Sequence, residues 1–128
     1  MRVLVIDDEP ALRQVIRRML ESAGHQVVEA QNGRMGIQAF QAAPFDVVVT
    51  DTIMPEQEGM ETIVEMRKLN ESVRIVAISG GGIKDLDVLL VARRLGADAT
   101  LPKPFRRENL LACVEGRADG PAEPRPHE

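Results

Sequence analysis

The chain has 128 residues, 44% of them hydrophobic and 28% charged, which suits one domain with a buried core and argues against wholesale disorder. Its 16 Lys and Arg against 20 Asp and Glu leave a net charge of -4, and it holds no Trp or Tyr and only three Phe, so nucleic-acid binding through bulk charge or base stacking is not expected. The single cysteine, Cys113, excludes an internal disulfide framework and a zinc site of several thiolates, and makes a reducing cytoplasm the expected setting.

Val3-Leu4-Val5-Ile6 is continuously apolar and reads as a strand buried on both faces; it stops at Asp7-Asp8, too short for a signal peptide. From Pro10 to Ala23, Leu12, Val15, Ile16, Met19, Leu20 and Ala23 recur at three- and four-residue steps. That spacing predicts an amphipathic helix, with Pro10 tolerated in its first turn and Gly24 just past its end. Val27 to Ala30 is a second strand, Asn32-Gly33 a turn, and Met35 to Ala42 a second helix carrying Ile37 and Phe40. Val47 to Thr50 is the third strand, and Glu58 to Leu69 is helical with Met60, Ile63, Val64 and Met66 inward. Arg74 to Ile78 is the fourth strand, Asp85 to Leu95 the fourth helix closed by Gly96, Ala99 to Leu101 a brief fifth strand, and Arg106 to Glu115 the last helix. No apolar run approaches the roughly 20 residues that a membrane span needs, so no membrane insertion is expected.

Strict alternation of apolar strands and helices predicts an α/β fold: a doubly wound five-stranded parallel sheet, helices on both faces, right-handed crossovers and the flavodoxin-like strand order 2-1-3-4-5. The folded domain is expected to span 1–115. Residues 116–128 lack any large apolar side chain and read as a disordered tail or linker stub.

In such a sheet ligands bind beyond the carboxyl ends of the strands. Asp7, Asp8 and Glu9 follow the first strand, Asp51 the third, Ser79 and Gly80-Gly81-Gly82 the fourth, and Pro102-Lys103-Pro104-Phe105 the fifth. Clustered carboxylates repel one another unless a cation sits among them, and an all-oxygen set suits Mg²⁺. A cation, the Lys103 ammonium and the Ser79 hydroxyl around one carboxylate make a cradle for a phosphoryl group, with Asp51 as candidate nucleophile. The competing reading is that these acids only cap helices, Asp8 that of the helix at Pro10. Four such residues at four strand ends favour chemistry.

These residues resemble the receiver domain of bacterial two-component response regulators. Asp7-Asp8, Asp51-Thr52-Ile53-Met54-Pro55 with Gly59, Ser79-Gly80, and the run from Gly96 to Phe105 match in order and spacing, and the resemblance covers about residues 1 to 115. It implies that Asp51 is the phosphoacceptor and that Asp7, Asp8, Asp51 and the backbone carbonyl of Ile53 hold Mg²⁺, directly or through water. It implies too that Ser79 turns toward the phosphoryl group, that Lys103 pairs with it, and that Lys103-Pro104 is cis. A sensor histidine kinase or histidine phosphotransfer protein would donate the phosphoryl group, and a downstream protein would read the result.

The chain departs from the pattern at Thr100, where family members usually carry Tyr or Phe three residues before the lysine. Without that ring the expected switch is movement of Ser79 and the 80–82 glycines with the fourth helix. The glycine run is not a Walker loop and reads equally as a phosphate-side loop or a plain turn. His25 and His127 lack partners at ligand spacing and read as surface residues. Cys113 and the methionines other than Met54 read as packing. Arg93, Arg94, Arg106 and Arg107 read as solvated helix ends or as a partner surface, the face receivers use for output.

The leading expectation is a cytoplasmic signalling module, not a conventional enzyme, that stands alone or shuttles phosphate unless it is part of something longer. Two alternatives come from other classes. An aspartate-nucleophile phosphatase would carry a second acid two residues after the nucleophile, where Ile53 stands. A nucleotide or flavin module would need a Gly-rich turn after the first strand.

Overall fold

In a computed structural model, which describes residues 1–52, 58–80 and 90–118, the apolar runs lie side by side as five parallel strands. The elements in chain order are β1 (Arg2–Ile6), α1 (Pro10–Ser22), β2 (Gln26–Ala30), α2 (Gly33–Ala42), β3 (Val47–Asp51), α3 (Glu58–Leu69) and β4 (Arg74–Ser79). There follow a helix α4, described over residues 90–95, then β5 (Ala99–Pro102) and α5 (Arg107–Val114). The strand order is β2-β1-β3-β4-β5, as the alternation predicts.

Successive strand residues point to opposite faces, and each face has its own core. Val3, Val5, Val47, Val49, Val76, Ile78 and Leu101 pack with Ile16 and Leu20 of α1 and Leu110, Cys113 and Val114 of α5. Leu4, Ile6, Val48, Ile75 and Ala77 pack with Ile37 of α2, Ile63 and Met66 of α3 and Ala92 of α4. Burial on both sides is why β1, β3 and β4 read as unbroken apolar runs. Strand β2 lies at the sheet edge and runs from an exposed Gln26 through half-buried Val27, Val28 and Glu29 to a buried Ala30.

Most element ends fall within a residue of the sequence reading. The largest difference is at α2. Asn32-Gly33 is not a free turn: the Asn32 carbonyl Oδ1 accepts the Met35 N–H at 2.8 Å and caps a helix that begins at Gly33. Gly36 then lies against Ile6, where a Cβ would overlap the Ile6 side chain, so this glycine lets α2 settle on the end of β1. Cys113 is buried as expected, whereas Met35 is exposed.

His25 departs from its reading as a partnerless surface residue. Its Nδ1 lies 3.2 Å from the N-terminal amine and its Nε2 3.0 Å from Glu115. Glu115 lies 90 positions further along the chain, so no local spacing announces the contact. Beyond α5, Arg117 and Ala118 donate their N–H groups to the Ala112 carbonyl, and Arg74 donates to the carbonyls of Cys113 and Ala118. The rest of the expected tail, 119–128, lies outside the described residues, as do residues 85–89 of the expected fourth helix and Gly81-Gly82. No described helix is long and apolar enough to cross a membrane.

Candidate functional site

The β1–β3–β4–β5 register brings four chemically active side chains to one edge. Asp51 is the last residue of β3 and pairs with Ile78, one residue before Ser79 at the end of β4. Lys103 follows β5 directly, and its N–H donates to the Ser79 carbonyl at 2.9 Å, which carries the β4–β5 pairing past its last ladder residue. Asp7 follows β1, and its N–H donates to the Ala30 carbonyl at the end of β2. The Lys103-Pro104 bond is cis.

Asp7, Asp51 and Ser79 are buried, while Asp8 is exposed at the mouth. One carboxylate oxygen from each of Asp7, Asp8 and Asp51 lies within 4.8 Å of the other two. Lys103 Nζ lies 3.1 Å from Asp51 Oδ2, with the lysine side chain 24% exposed and the aspartate 3%. The helix-capping alternative finds no support at Asp8. The residue at the start of α1 is Glu9, which makes no side-chain capping bond.

Burial pushes the Asp7 carboxyl up to about 6. The Glu9 N–H, donated to Asp7 Oδ1 at 2.8 Å, opposes the rise, the neighbouring Asp51 carboxylate adds to it, and the Lys103 ammonium works against it. A carboxyl raised in this way is one whose charge lacks full compensation among the described residues. The Ser79 hydroxyl carries the complementary signal: Oγ is buried and has no hydrogen-bond partner among the described residues. The donor set therefore fits a hard divalent cation at the three carboxylates and an oxygen-rich group beside Ser79 and Lys103.

Two neighbours shape this edge without having been singled out by their chemistry. Thr52 donates its N–H and its hydroxyl to the Ile78 carbonyl, each at 2.8 Å, and so ties the chain leaving β3 to β4. Gly59, in the first turn of α3, sits where a Cβ would overlap the Asp51 carbonyl and crowd the Thr52 Cα. Arg13 of α1 was missed altogether. Its Nη1 donates to the Asp7 carbonyl at 2.7 Å and its Nε to Glu29 at 3.0 Å. Only the Arg-x-x-x-Arg spacing of the polar face of α1 hinted at a role, and that pattern is ordinary on a solvated helix. The expected Ile53 ligand, with Met54 and Pro55, lies outside the described residues.

Thr100 is buried on β5, opposite Ala77. Ala99 and Leu101 face α1 and α5, so Thr100 turns to the other face of the sheet.

The fold and site together define an α/β module with a doubly wound sheet and an acidic edge suited to a hard cation at the carboxyl ends of its strands. Residues 3–115 match the family model described as the response regulator receiver domain. The chain is 34% identical over 111 residues to the response regulator MprA of Mycolicibacterium vanbaalenii, a match covering 87% of this chain and 47% of that protein. It therefore spans about half the length of that relative. It is also 31% identical over 114 residues to the chemotaxis protein CheY of Thermotoga maritima, across 88% of this chain and 93% of the relative. Among solved structures, a response regulator receiver domain protein from Clostridium thermocellum superposes with a TM-score of 0.82 at 32% identity, covering 90% of this chain and 91% of that one. The chain belongs to the response regulator receiver domain family, and that membership is consistent with phosphorylation-dependent signalling of the two-component type. The phosphatase alternative is not favoured.

Proposed function

We propose that Asp51 accepts the phosphoryl group, from a sensor histidine kinase or a histidine phosphotransfer protein, within a folded unit spanning 1–115 and followed by a tail or linker over 116–128. The observation that carries this reading is the buried Asp51 carboxylate beside Lys103 Nζ, with the Ser79 hydroxyl, which has no partner among the described residues, at the end of the adjoining strand. A carboxylate oxygen of Asp51 attacks phosphorus, the bond from phosphorus to the donor's imidazole nitrogen breaks, and that nitrogen keeps the electron pair. Lys103 pairs with the phosphoryl oxygens, and the Ser79 hydroxyl donates to one of them. Asp7, Asp8 and Asp51, with the Ile53 carbonyl, are the proposed holders of Mg²⁺. When bound, that ion neutralises charge on the phosphoryl oxygens.

The protein thus promotes chemistry on its own side chain and is not a conventional enzyme. Its setting is the cytoplasm, its output is a downstream protein, and it binds no nucleic acid directly. The exposed Arg94, Arg106 and Arg107 support a partner surface at α4 and α5. The test is intact-mass spectrometry with Mg²⁺ and acetyl phosphate or phosphoramidate. Wild type gains one phosphoryl group that hydroxylamine removes, and Asp51→Asn gains none. Undiminished labelling of Asp51→Asn overturns the assignment.

A further inference from the structure

We infer that Arg13 is a positioning residue for the acidic edge: its guanidinium bridges Glu29 on β2 to the main-chain carbonyl of Asp7, and so holds the β1–α1 turn where Asp7 and Asp8 can share a cation with Asp51. This rests on the reading of that edge as a cation site and extends it to a residue outside the carboxylates.

The last ladder pair of β1 and β2 is Ile6 with Ala30. Beyond it the Asp7 carbonyl has left the ladder, and a main-chain acceptor at a half-buried position needs a donor. Arg13 Nη1 supplies it at 2.7 Å. The same guanidinium gives Nε to Glu29 Oε1 at 3.0 Å, and Glu29 Oε2 takes Arg17 Nη1 at 2.7 Å. Arg13 and Glu29 side chains are 16% and 22% exposed, so the bridge is shielded in part from water. Asp7 is then held at three atoms: its N–H by Ala30, its carbonyl by Arg13 and its Oδ1 by the Glu9 N–H.

The placement of charge separates this from a plain ion pair. Arg13 makes no ion pair with Asp7, Asp8 or Asp51; its carboxylate partner is Glu29. A guanidinium laid on the acidic edge would neutralise it and compete with a cation. Anchored to Glu29 and reaching only a carbonyl, Arg13 fixes geometry and leaves the negative charge in place. Three carboxylates within 4.8 Å repel one another, so a turn without this anchor splays and the ligand set loses its spacing. A planar fork is needed to serve both acceptors at once, which a lysine ammonium on a flexible stem does not reproduce.

The test is Mg²⁺ binding by calorimetry, or Mn²⁺ binding by electron paramagnetic resonance, since the chain has no Trp or Tyr to report it. Melting in EDTA is measured in parallel. Arg13→Met is expected to raise the Mg²⁺ Kd about tenfold, the usual effect of losing a group that orients metal ligands from behind. Glu29→Ala should weaken binding in the same direction, and the double variant should bind no more weakly than Arg13→Met alone, because both act through one bridge. Arg13→Lys, which keeps charge and stem, should not restore wild-type affinity and serves if Arg13→Met fails to fold. A wild-type Kd in these variants, with only a lower melting temperature in EDTA, makes Arg13 a structural residue and overturns the inference alone. Absence of Mg²⁺ binding by wild type overturns the cation-site reading and this inference with it.

Discussion

Asp7 shows how far one side chain's setting can be read as a stability statement. Its carboxyl ordinarily titrates near 3.8 and is pushed to about 6 in the fold, burial being the largest cause. Between those values the native state holds a proton that the unfolded chain has released. The contribution of Asp7 to metal-free stability is therefore fully present below about pH 4 and is lost as pH rises through about 6. The loss should be on the order of 1–3 kcal/mol, and thermal melts in EDTA across this window measure it. Asp7→Asn keeps an oxygen for the Glu9 N–H and removes the charge, so it should flatten the profile and melt above wild type at pH 7.5 in EDTA. Asp51→Asn should gain less, because it also gives up the Lys103 pair. Lys103 is expected to act on chemistry more than on folding. Lys103→Ala should fold and bind Mg²⁺, yet take up phosphate from acetyl phosphate roughly 10²-fold more slowly and lose its partner response. Wild-type rates would contradict that role.

Among the elements, the approach of α3 to the end of β3 rests on Gly59. A Cβ there meets the main chain of Asp51 and Thr52, which cannot step aside as a flexible side chain could. Gly59→Ala should cost roughly 1–3 kcal/mol in urea unfolding, as overpacking does, and should slow phosphorylation by shifting Asp51. Unchanged stability would mean that α3 can slide without cost. Helix α2 uses the same device at Gly36, but there the neighbour is the Ile6 side chain, which can rotate away. Strand β5 carries the departure from the family pattern. Thr100 is buried and stiff, so the two packings a ring would offer are absent at this position.

For the whole molecule, a cation held at the acidic edge should make stability depend on that cation. Anything that binds the native state alone stabilises it by RT ln(1 + [L]/Kd), about 2.7 kcal/mol at 100 times Kd. Mg²⁺ should therefore raise the melting temperature by several degrees over EDTA in scanning calorimetry. An identical Tm in both would make the edge structural. The net charge of -4 works in the same direction, since it favours a cation's approach.

Much of this was legible before any coordinates. The unbroken apolar runs Val3 to Ile6 and Val47 to Val49, buried on both faces, and the helical spacing of Leu12 to Leu20 point to a parallel sheet covered twice, because that arrangement buries so continuous an apolar set. The positions of Asp7, Asp51, Ser79 and Lys103 at or just past the ends of four strands determine that they meet, because parallel strands end on one edge. The tertiary structure alone decided what lies between distant segments. It brought Arg13 and Glu29 together across 16 positions and His25 to Glu115 across 90, turned Gly59 into a contact with Asp51, and left the Ser79 hydroxyl buried without a partner among the described residues. Local periodicity reports which face of an element is apolar. Which atoms then touch depends on how those faces pack, and that is set by the whole chain folding at once.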